Sequence, residues 1–384
     1  MTLLTTTSEL AAFCDAHKDT AFVTVDTEFM RERTYWPKLC LIQLGGPTET
    51  VAVDPLAKDI NLQPLFDLLA NPKVMKVFHA ARQDIEIFYN LTGQVPTPMF
   101  DTQVAAMVCG FGDSASYETL ADKLANAKID KSSRFTDWSN RPLTEKQIVY
   151  ALGDVSHLRV VYARLHEMLE KSGRIGWVSE EMEILTSPNT YKIDPQTVWR
   201  KFKWKADKPR LRAILRELAA WRELEAQRLD VPRNRVVRDE ALMEIAHHAP
   251  KDTHELARTR GLSTGFAESR QGKEIMEAIA RANALPINEC PTGDARRFVP
   301  PGLGPVMDLL KVLLKQTSEE HGVATKLIAN TDDLEDLASD DNTNVPVLQG
   351  WRLELFGKQA LALKRGELAL SVKGKRVVVR EVGV

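Results

Sequence analysis

Residues 25–29 read VDTEF, and they continue the β-branched run AFVTV of residues 21–25. A short run of this kind predicts a β-strand. Because the side chains of a strand alternate between its two faces, Asp26 and Glu28 would leave the same face. Two carboxylates this close repel each other, so at neutral pH they need either surrounding water or a bound cation. The pattern is therefore consistent with two interpretations, a solvated strand edge and a metal site.

The sequence around this strand alternates between short apolar strands and helices. Predicted strands lie at residues 21–25, 39–44, 50–53, 74–78 and 99–101, and predicted helices lie at 62–69, 84–89 and 102–109. The first three strands suit an antiparallel meander. From Tyr117 onward helical periodicity dominates. This order predicts an α/β domain, one mixed sheet covered by helices, over residues 1–187.

Composition excludes several classes of protein. The chain has 384 residues, of which 43% are hydrophobic and 27% charged, so it is neither disordered nor collagen-like. Its four cysteines form no CxxC pair, which argues against a zinc module and a disulfide scaffold. The sequence has no signal-peptide pattern and no apolar run of about 18 residues, and we expect a cytoplasmic protein. Because the net charge is −2, a polyanionic partner would have to be held by a local basic region.

The rest of the chain is predominantly helical. Residues 188–209 lose the apolar periodicity and are predicted to be a linker. Residues 210–295 predict a small all-α domain, with amphipathic helices at 210–228, 239–247 and 252–258. After the Pro- and Gly-rich stretch 299–305, residues 296–384 predict a second helical domain that starts with a helix at 306–322. It ends in a predicted hairpin of strands 368–372 and 376–380 around Lys373-Gly374-Lys375.

Three further side chains join the two acids of the first strand as candidates for chemistry. Asp84 follows the strand 74–78. Asp154 lies four residues after Tyr150 in YALGD, so Tyr150 and Asp154 share one helix face. Taken singly, Asp84 also suits a helix cap and Tyr150 a core aromatic.

The order DxE, then Asp, then YxxxD resembles the motifs of DEDD-superfamily exonucleases, in the subgroup that uses tyrosine. Within that superfamily the ribonuclease D family is the most similar, through the phrases VDTEFMRERTYWPKLCLIQL, FHAARQDIEIF, FDTQVAAMVCG, SYETLADKL and DWSNRPLTEKQIVYALGDV. The resemblance covers about residues 1–185 and implies a ribonuclease H-like sheet. Downstream, WRELEAQRLDVPRNRVVRDEALMEIAHHAP and LARTRGL resemble an HRDC domain, and residues 296–384 look like a second, divergent copy.

The resemblance assigns roles to these residues. It implies that Asp26, Glu28, Asp84 and Asp154 bind two divalent ions, Mg²⁺ or Mn²⁺, and that Tyr150 orients the attacking water. Carboxylate oxygens suit these hard ions, and two ions about 4 Å apart can activate a water and stabilise a leaving oxygen. A tyrosine with a usual pKa of about 10 is a poor base at pH 7, so we expect Tyr150 to position the water.

The family also places the first strand near the terminal nucleotide, which makes Thr27 and Phe29 candidates for RNA contact; Phe29 is equally well explained as a core residue. We expect His79 to be a hydrogen-bonded structural histidine and Asp101 to cap a helix.

One region has a strong local excess of positive charge. Between residues 200 and 238 there are thirteen Lys or Arg and five Asp or Glu, with tryptophans interleaved. Such a region can neutralise phosphates and stack on bases, although Trp221 lies on an apolar stripe that predicts burial. The candidates for RNA binding here are Lys201, Lys203, Lys205 and Arg210.

The sequence thus predicts a metal-dependent 3′→5′ exoribonuclease that releases nucleoside 5′-monophosphates. The family resemblance implies that it trims the 3′ ends of precursor tRNA and other small structured RNAs. Two alternatives remain: a DNA-directed exonuclease of the same fold, and a nucleic-acid-binding scaffold with an inactive nuclease site. We expect a monomer, because no heptad seam is present.

Overall fold

The computed structural model of the chain describes residues 2–202, 208–292 and 302–383. Contacts among the described residues group them into two compact units. The first unit contains Met1–Glu28, Cys40–Thr190 and Val299–Val384, and the second unit contains Phe29–Leu39 and Tyr191–Phe298. Within the described part of the chain, no helix is both long and apolar enough to cross a membrane.

A six-stranded mixed sheet forms the centre of the first unit. In chain order the strands β1 to β6 are Thr2–Leu4, Phe22–Met30, Lys38–Gly45, Thr50–Val53, Met75–Phe78 and Met99–Asp101. They lie in the order β1-β4-β3-β2-β5-β6. β1 pairs parallel with β4, β2 with β5 and β5 with β6, whereas β3 and β4 are antiparallel. The mixed sheet expected from the sequence is confirmed.

The strand β2 extends further than its β-branched run. That run ends at residue 25, and the strand continues to Met30, so it includes both acids of the DxE motif as the predicted alternation requires. Val23 and Val25 are buried, and the half-buried residues begin where the acids appear. The catalytic candidates thus occupy the end of a central strand whose other half is anchored in the core.

Seven helices of the first unit accompany this sheet. In chain order α1 to α7 are Thr7–His17, Gln63–Ala70, Arg82–Thr92, Thr102–Val108, Tyr117–Ala125, Glu145–Ser172 and Ile175–Thr186. α6 is the longest of them, with 28 residues. Its start is fixed by a capping box in which Thr144 and Gln147 satisfy each other's backbone N–H groups, and it ends at Gly173, whose φ of 68° is left-handed.

The C-terminal segment also belongs to the first unit. Its helices α14 to α18 are Gly304–His321, Thr325–Ile328, Thr331–Ser339, Gly350–Arg352 and Lys358–Lys364, with a π-helical turn at Leu353–Gly357, and its hairpin strands β7 and β8 are Leu368–Lys373 and Arg376–Glu381. The predicted hairpin is confirmed. Arg352 forms an ion pair with Glu181 of α7, and the rings of Trp177 and Trp351 stack 4.5 Å apart.

The second unit is helical. Its helices α8 to α13 are Pro209–Leu229, Arg233–Val236, Asp239–His248, Thr253–Leu256, Thr264–Glu268 and Arg270–Ala284. The helix predicted at 252–258 is shorter than expected, because the chain turns after Leu256 and Gly261 adopts a left-handed φ of 87°. Trp221 is buried, as its place on the apolar stripe predicted.

Two segments outside these helices complete the core of the second unit. Val198 and Trp199 of the predicted linker are buried in it, and so is Tyr35. The Tyr35 hydroxyl donates a hydrogen bond to the Glu223 carboxylate, and Asp230 accepts hydrogen bonds from the backbone N–H groups of Tyr35 and Trp36 at 3.1 and 3.0 Å. The domain boundaries 1–187, 188–209, 210–295 and 296–384 stay a prediction.

Candidate active site

Hydrogen bonds from β2 fix the three elements that carry the acids. Thr24 Oγ1 donates to the carbonyl oxygen of Val155 at 2.9 Å, which places the residue next to Asp154 against the strand. Thr27 Oγ1 donates to Asp84 Oδ1, which ties the first turn of α3 to the same strand. These bonds join residues that are 131 and 57 positions apart in the sequence, so they set the site only once the domain is folded.

The position of Asp84 differs from that of a cap. The residue lies in the first turn of α3, and the N-cap position belongs to Ala81. It is only 6% exposed. A carboxylate this buried, which accepts from the Thr27 hydroxyl and interacts with its own backbone, is not explained by helix capping, and a role in the site accounts for it better.

The four acids interact electrostatically at one place. Burial, followed by the charge of Asp154, raises the pKa of Asp26 well above its usual range. Burial and then the charges of Asp26, Asp154 and Asp84 raise the pKa of Glu28 to about 9. The pKa of Asp84 is raised by burial and by Asp26, and burial raises that of Asp154 to about 7 although Arg134 opposes this. The structure therefore brings together all four carboxylates that the sequence singled out.

The chemistry of the cluster suits a divalent cation, although the side chains do not stand in the geometry of metal ligands. Among residues 2–202, 208–292 and 302–383, no three His, Cys, Asp or Glu side chains stand in a group ready to hold a metal ion. The charge of Asp154 nevertheless raises the pKa of Asp26 and of Glu28, and the charge of Asp26 raises that of Asp84. Four hard oxygen donors whose repulsion a cation would relieve fit Mg²⁺ or Mn²⁺.

Tyr150 lies one helical turn before Asp154 on α6, as the spacing predicted. Burial and the charges of Asp154, Glu28 and Asp26 raise the pKa of Tyr150 above its usual value, and the nearby phenol lowers the pKa of Asp154. The phenol is thus protonated at neutral pH and can donate or orient, but it cannot act as a base.

Asp101 and His79 form hydrogen bonds in the segments that lead into α3 and α4. Asp101 caps α4 through the N–H of Gln103 at 2.8 Å, and this confirms its expected role. It also accepts hydrogen bonds from the N–H groups of Ala80 and Ala81 at 3.0 and 2.9 Å, and these residues lead directly into α3. His79 Nδ1 lies 3.0 Å from Thr102 Oγ1, so the expectation of a hydrogen-bonded histidine is confirmed as well.

Two residues near the acids were not found from the sequence. Tyr117 donates a hydrogen bond at 2.8 Å to the carbonyl of Gly153, the residue before Asp154. Arg134 brings a positive charge that opposes the raised pKa values of Glu28 and Asp154. No motif marks either position, because each acts through a contact across the fold rather than through local spacing.

The candidates for RNA contact fare differently from one another. Thr27 is 6% exposed and its hydroxyl is bonded to Asp84, so its side chain supports the site from within, and its contact with RNA stays a prediction. Phe29 is half-buried on β2. The guanidinium of Arg210 donates to the carbonyls of Ala282 and Leu285 at the end of α13, and its role in RNA binding stays a prediction.

Of the three lysine candidates, Lys201 is exposed, whereas Lys203 and Lys205 lie outside the described residues. Lys201 borders a pocket of the second unit that also contains Arg222 and Arg233. Those two arginines are already paired with Asp239 and Glu223, so the pocket is largely charge-compensated.

Comparisons with known proteins agree with this site. A family model described as "3'-5' exonuclease" matches residues 1–170, and the HRDC domain model matches residues 212–279. The ribonuclease D of Granulibacter bethesdensis is 50% identical over 383 residues, covering 100% of this chain and 97% of the relative. The ribonuclease D of Nitrobacter hamburgensis is 52% identical over 378 residues, covering 98% and 99%.

A solved structure is similar over nearly the whole chain. It is that of Escherichia coli RNase D, described as an exoribonuclease involved in structured RNA processing. It superposes with a TM-score of 0.82 at 31% identity and covers 95% of this chain and 98% of its own. The chain described here therefore belongs to the ribonuclease D family and is a metal-dependent 3′→5′ exoribonuclease.

Proposed function

We propose that Asp26, Glu28, Asp84 and Asp154 hold two divalent ions, Mg²⁺ or Mn²⁺, and that Tyr150 positions the water that attacks the terminal phosphodiester. The single observation that carries this proposal is the convergence of four buried carboxylates from β2, α3 and α6, which the hydrogen bonds of Thr24 and Thr27 hold together and whose pKa values are all raised. Repulsion among buried carboxylates destabilises the metal-free protein, and a bound cation relieves it.

The chain's own residues divide the work as follows. When bound, the ions would lower the pKa of a water and stabilise the departing 3′-oxygen. Tyr150 keeps its proton at pH 7, and with its O–H directed at Asp154 its oxygen can accept a hydrogen bond from the water. Thr27 keeps Asp84 in place, and Thr24 docks α6 on the strand that carries Asp26.

The proposed products are nucleoside 5′-monophosphates, and the proposed substrates are precursor tRNA and other small structured RNAs with a free 3′ end. The name of the Escherichia coli relative, with its reference to structured RNA, supports this choice. A site that reads backbone and 2′-OH groups needs no base sequence. We place Phe29 and Lys201 among the RNA contacts and propose that the enzyme works as a monomer in the cytoplasm.

The experiment is an incubation of the protein with a 3′-extended tRNA and a divalent ion, with and without chelator, in which product lengths are resolved over time. Single-nucleotide shortening from the 3′ end that stops in chelator is expected. A matched DNA oligonucleotide distinguishes the DNA-directed alternative, which would hydrolyse DNA at least as fast as RNA. An absence of any shortening would favour the inactive scaffold.

A further inference from the structure

Phe135 is the most exposed large hydrophobic side chain in the described part of the chain, with 90% of its surface accessible. The next in order, Val372, is 73% exposed. Single exposed apolar residues are ordinary on protein surfaces, but a phenylalanine that packs against almost nothing contributes little to stability. Its neighbour supplies the one described ring contact: the guanidinium carbon of Arg134 lies 5.2 Å from the ring centroid.

The segment that carries these two residues is firmly anchored on both sides. Ser133 is buried on one side, and on the other Thr136 Oγ1 accepts a hydrogen bond from Gln147 of α6 at 3.1 Å. Further on, Trp138 is 3% exposed, and Arg141 binds both carboxylate oxygens of Asp54 at 2.7 Å. The irregular chain is thus held at several points while residues 134 and 135 project outward.

The anchoring also places the segment beside the active site. Gln147 lies one turn before Tyr150 on α6, and the ring of Trp138 lies 6.1 Å from that of Tyr150. Arg134 and Phe135 directly precede Thr136, which is bonded to Gln147 on the same helix as Tyr150. An exposed aromatic ring and an exposed cation at the edge of an acidic site are the two groups that single-stranded RNA needs for a stacking partner and a phosphate partner.

We propose that Arg134 and Phe135 form a nucleotide subsite, in which Phe135 stacks on an unpaired base close to the 3′ end and Arg134 binds the adjoining phosphate. This inference rests on the proposed function, since it places the subsite beside the hydrolytic centre. It assigns the enzyme a preference for substrates whose 3′ tail is single-stranded over several nucleotides, because a paired base offers no free face for stacking.

The test pairs a protein change with a substrate change. Phe135→Ala is compared with the wild type on single-stranded RNA oligonucleotides, one unmodified and others that carry a single abasic residue at each of the last few positions. Stacking on an aromatic side chain is worth about 1–3 kcal/mol per base, so we expect KM for the unmodified RNA to rise roughly 5- to 150-fold with kcat little changed. On one of the abasic substrates the two proteins should become equal.

Three further variants sharpen the outcome. Phe135→Trp keeps a stacking surface and should restore KM, whereas Leu91→Ala, which removes a 53% exposed apolar side chain from α3, should leave KM unchanged. Arg134→Ala should lower the slope of log affinity against log salt by about 0.7, the value for one phosphate contact on a single strand. Circular dichroism of each variant checks that the fold is retained.

An unchanged KM for Phe135→Ala would overturn the inference, and so would a loss of the same size on every abasic substrate. These outcomes leave the proposed function standing as long as the wild type releases nucleotides. If the wild type releases none in the presence of divalent ions, the proposed function fails instead. The RNA dissociation constants of the same variants, measured by fluorescence anisotropy in chelator, then decide the role of Phe135 separately.

Discussion

The hydroxyl of Thr27 donates a hydrogen bond to the carboxylate of Asp84, and so joins the middle of the DxE motif to the first turn of α3. Both residues are at least nine-tenths buried. The alternation of β2 therefore serves two purposes: Asp26 and Glu28 leave one face, and Thr27 between them fixes a third acid.

Thr27→Val should test this bond, because valine has nearly the same shape and lacks the hydroxyl. Asp84 would lose its hydrogen-bond donor, and its pKa would rise further, since that bond lowers it. We expect the free energy of unfolding to fall by about 1–3 kcal/mol and nucleotide release to slow. Urea denaturation and kcat measure the two effects. Thr27→Ser retains the hydroxyl and should retain most of the activity; an equal loss in both variants would contradict the account.

The acid cluster predicts how the stability of the metal-free protein depends on pH. The folded-state pKa of Asp154 is raised from 3.8 to about 7, and that of Glu28 from 4.5 to about 9. A raised folded-state pKa means that the stabilising contribution is complete below the unfolded value and is lost as the pH rises through the folded value. In chelator, stability should therefore decrease between about pH 4 and pH 9.

The measurement is the difference in melting temperature between the wild type and Glu28→Gln, recorded across that pH range. The glutamine variant cannot ionise at this position, so its melting temperature should rise relative to that of the wild type as the pH increases. Divalent ions should remove much of the difference at high pH, because they neutralise the carboxylates. A difference that stays constant with pH would show that Glu28 is not coupled to the cluster.

In the second unit, Tyr35 should contribute to stability through its hydroxyl. It donates to Glu223 and accepts from Gln227 at 3.0 Å, and Arg233 donates to the same Glu223 carboxylate. Tyr35→Phe leaves the ring in the core and removes these bonds, so we expect a loss of about 1–3 kcal/mol in the free energy of unfolding. Combining it with Glu223→Gln in a double-mutant cycle should give a coupling energy above about 0.5 kcal/mol; simple additivity would argue against the bond.

Arg210 and Lys201 should behave in opposite ways when replaced by alanine. Arg210→Ala removes the donor that satisfies the carbonyls of Ala282 and Leu285, so it should cost about 1–3 kcal/mol of stability and leave RNA affinity nearly unchanged. Lys201→Ala removes an exposed charge, and it should weaken RNA binding with little effect on stability. Thermal denaturation and anisotropy separate the two. The reverse pattern would restore Arg210 as an RNA contact.

The sequence predicted the parts of this fold that local patterns encode. Strand alternation placed Asp26 and Glu28 on one face, and helical spacing paired Tyr150 with Asp154. The three-residue strand β1 was not predicted, because Thr2–Leu4 is too short to show a hydrophobic period. The packing of α7 against the C-terminal segment, through Glu181 and Arg352, was not predicted because no local spacing relates residues 171 positions apart.

The same limit explains which contacts of the site the sequence did not predict. Arg210 was one cation among thirteen Lys and Arg in a basic stretch, and only the structure shows that helix α13 takes up its hydrogen bonds. Arg134 and Phe135 belong to an irregular segment without periodicity, so their place beside α6 depends on anchors such as Gln147 that the sequence does not identify.

The account depends above all on the four carboxylates acting together, and the most direct test is nucleotide release from a 3′-extended RNA by Asp26→Ala and Asp154→Asn at saturating divalent ion. Each variant is predicted to lose on the order of a thousandfold or more in rate, because residues that act as a unit fail when one is removed. The fold and the RNA affinity should stay close to those of the wild type. Release within about tenfold of the wild-type rate in either variant would contradict the central claim.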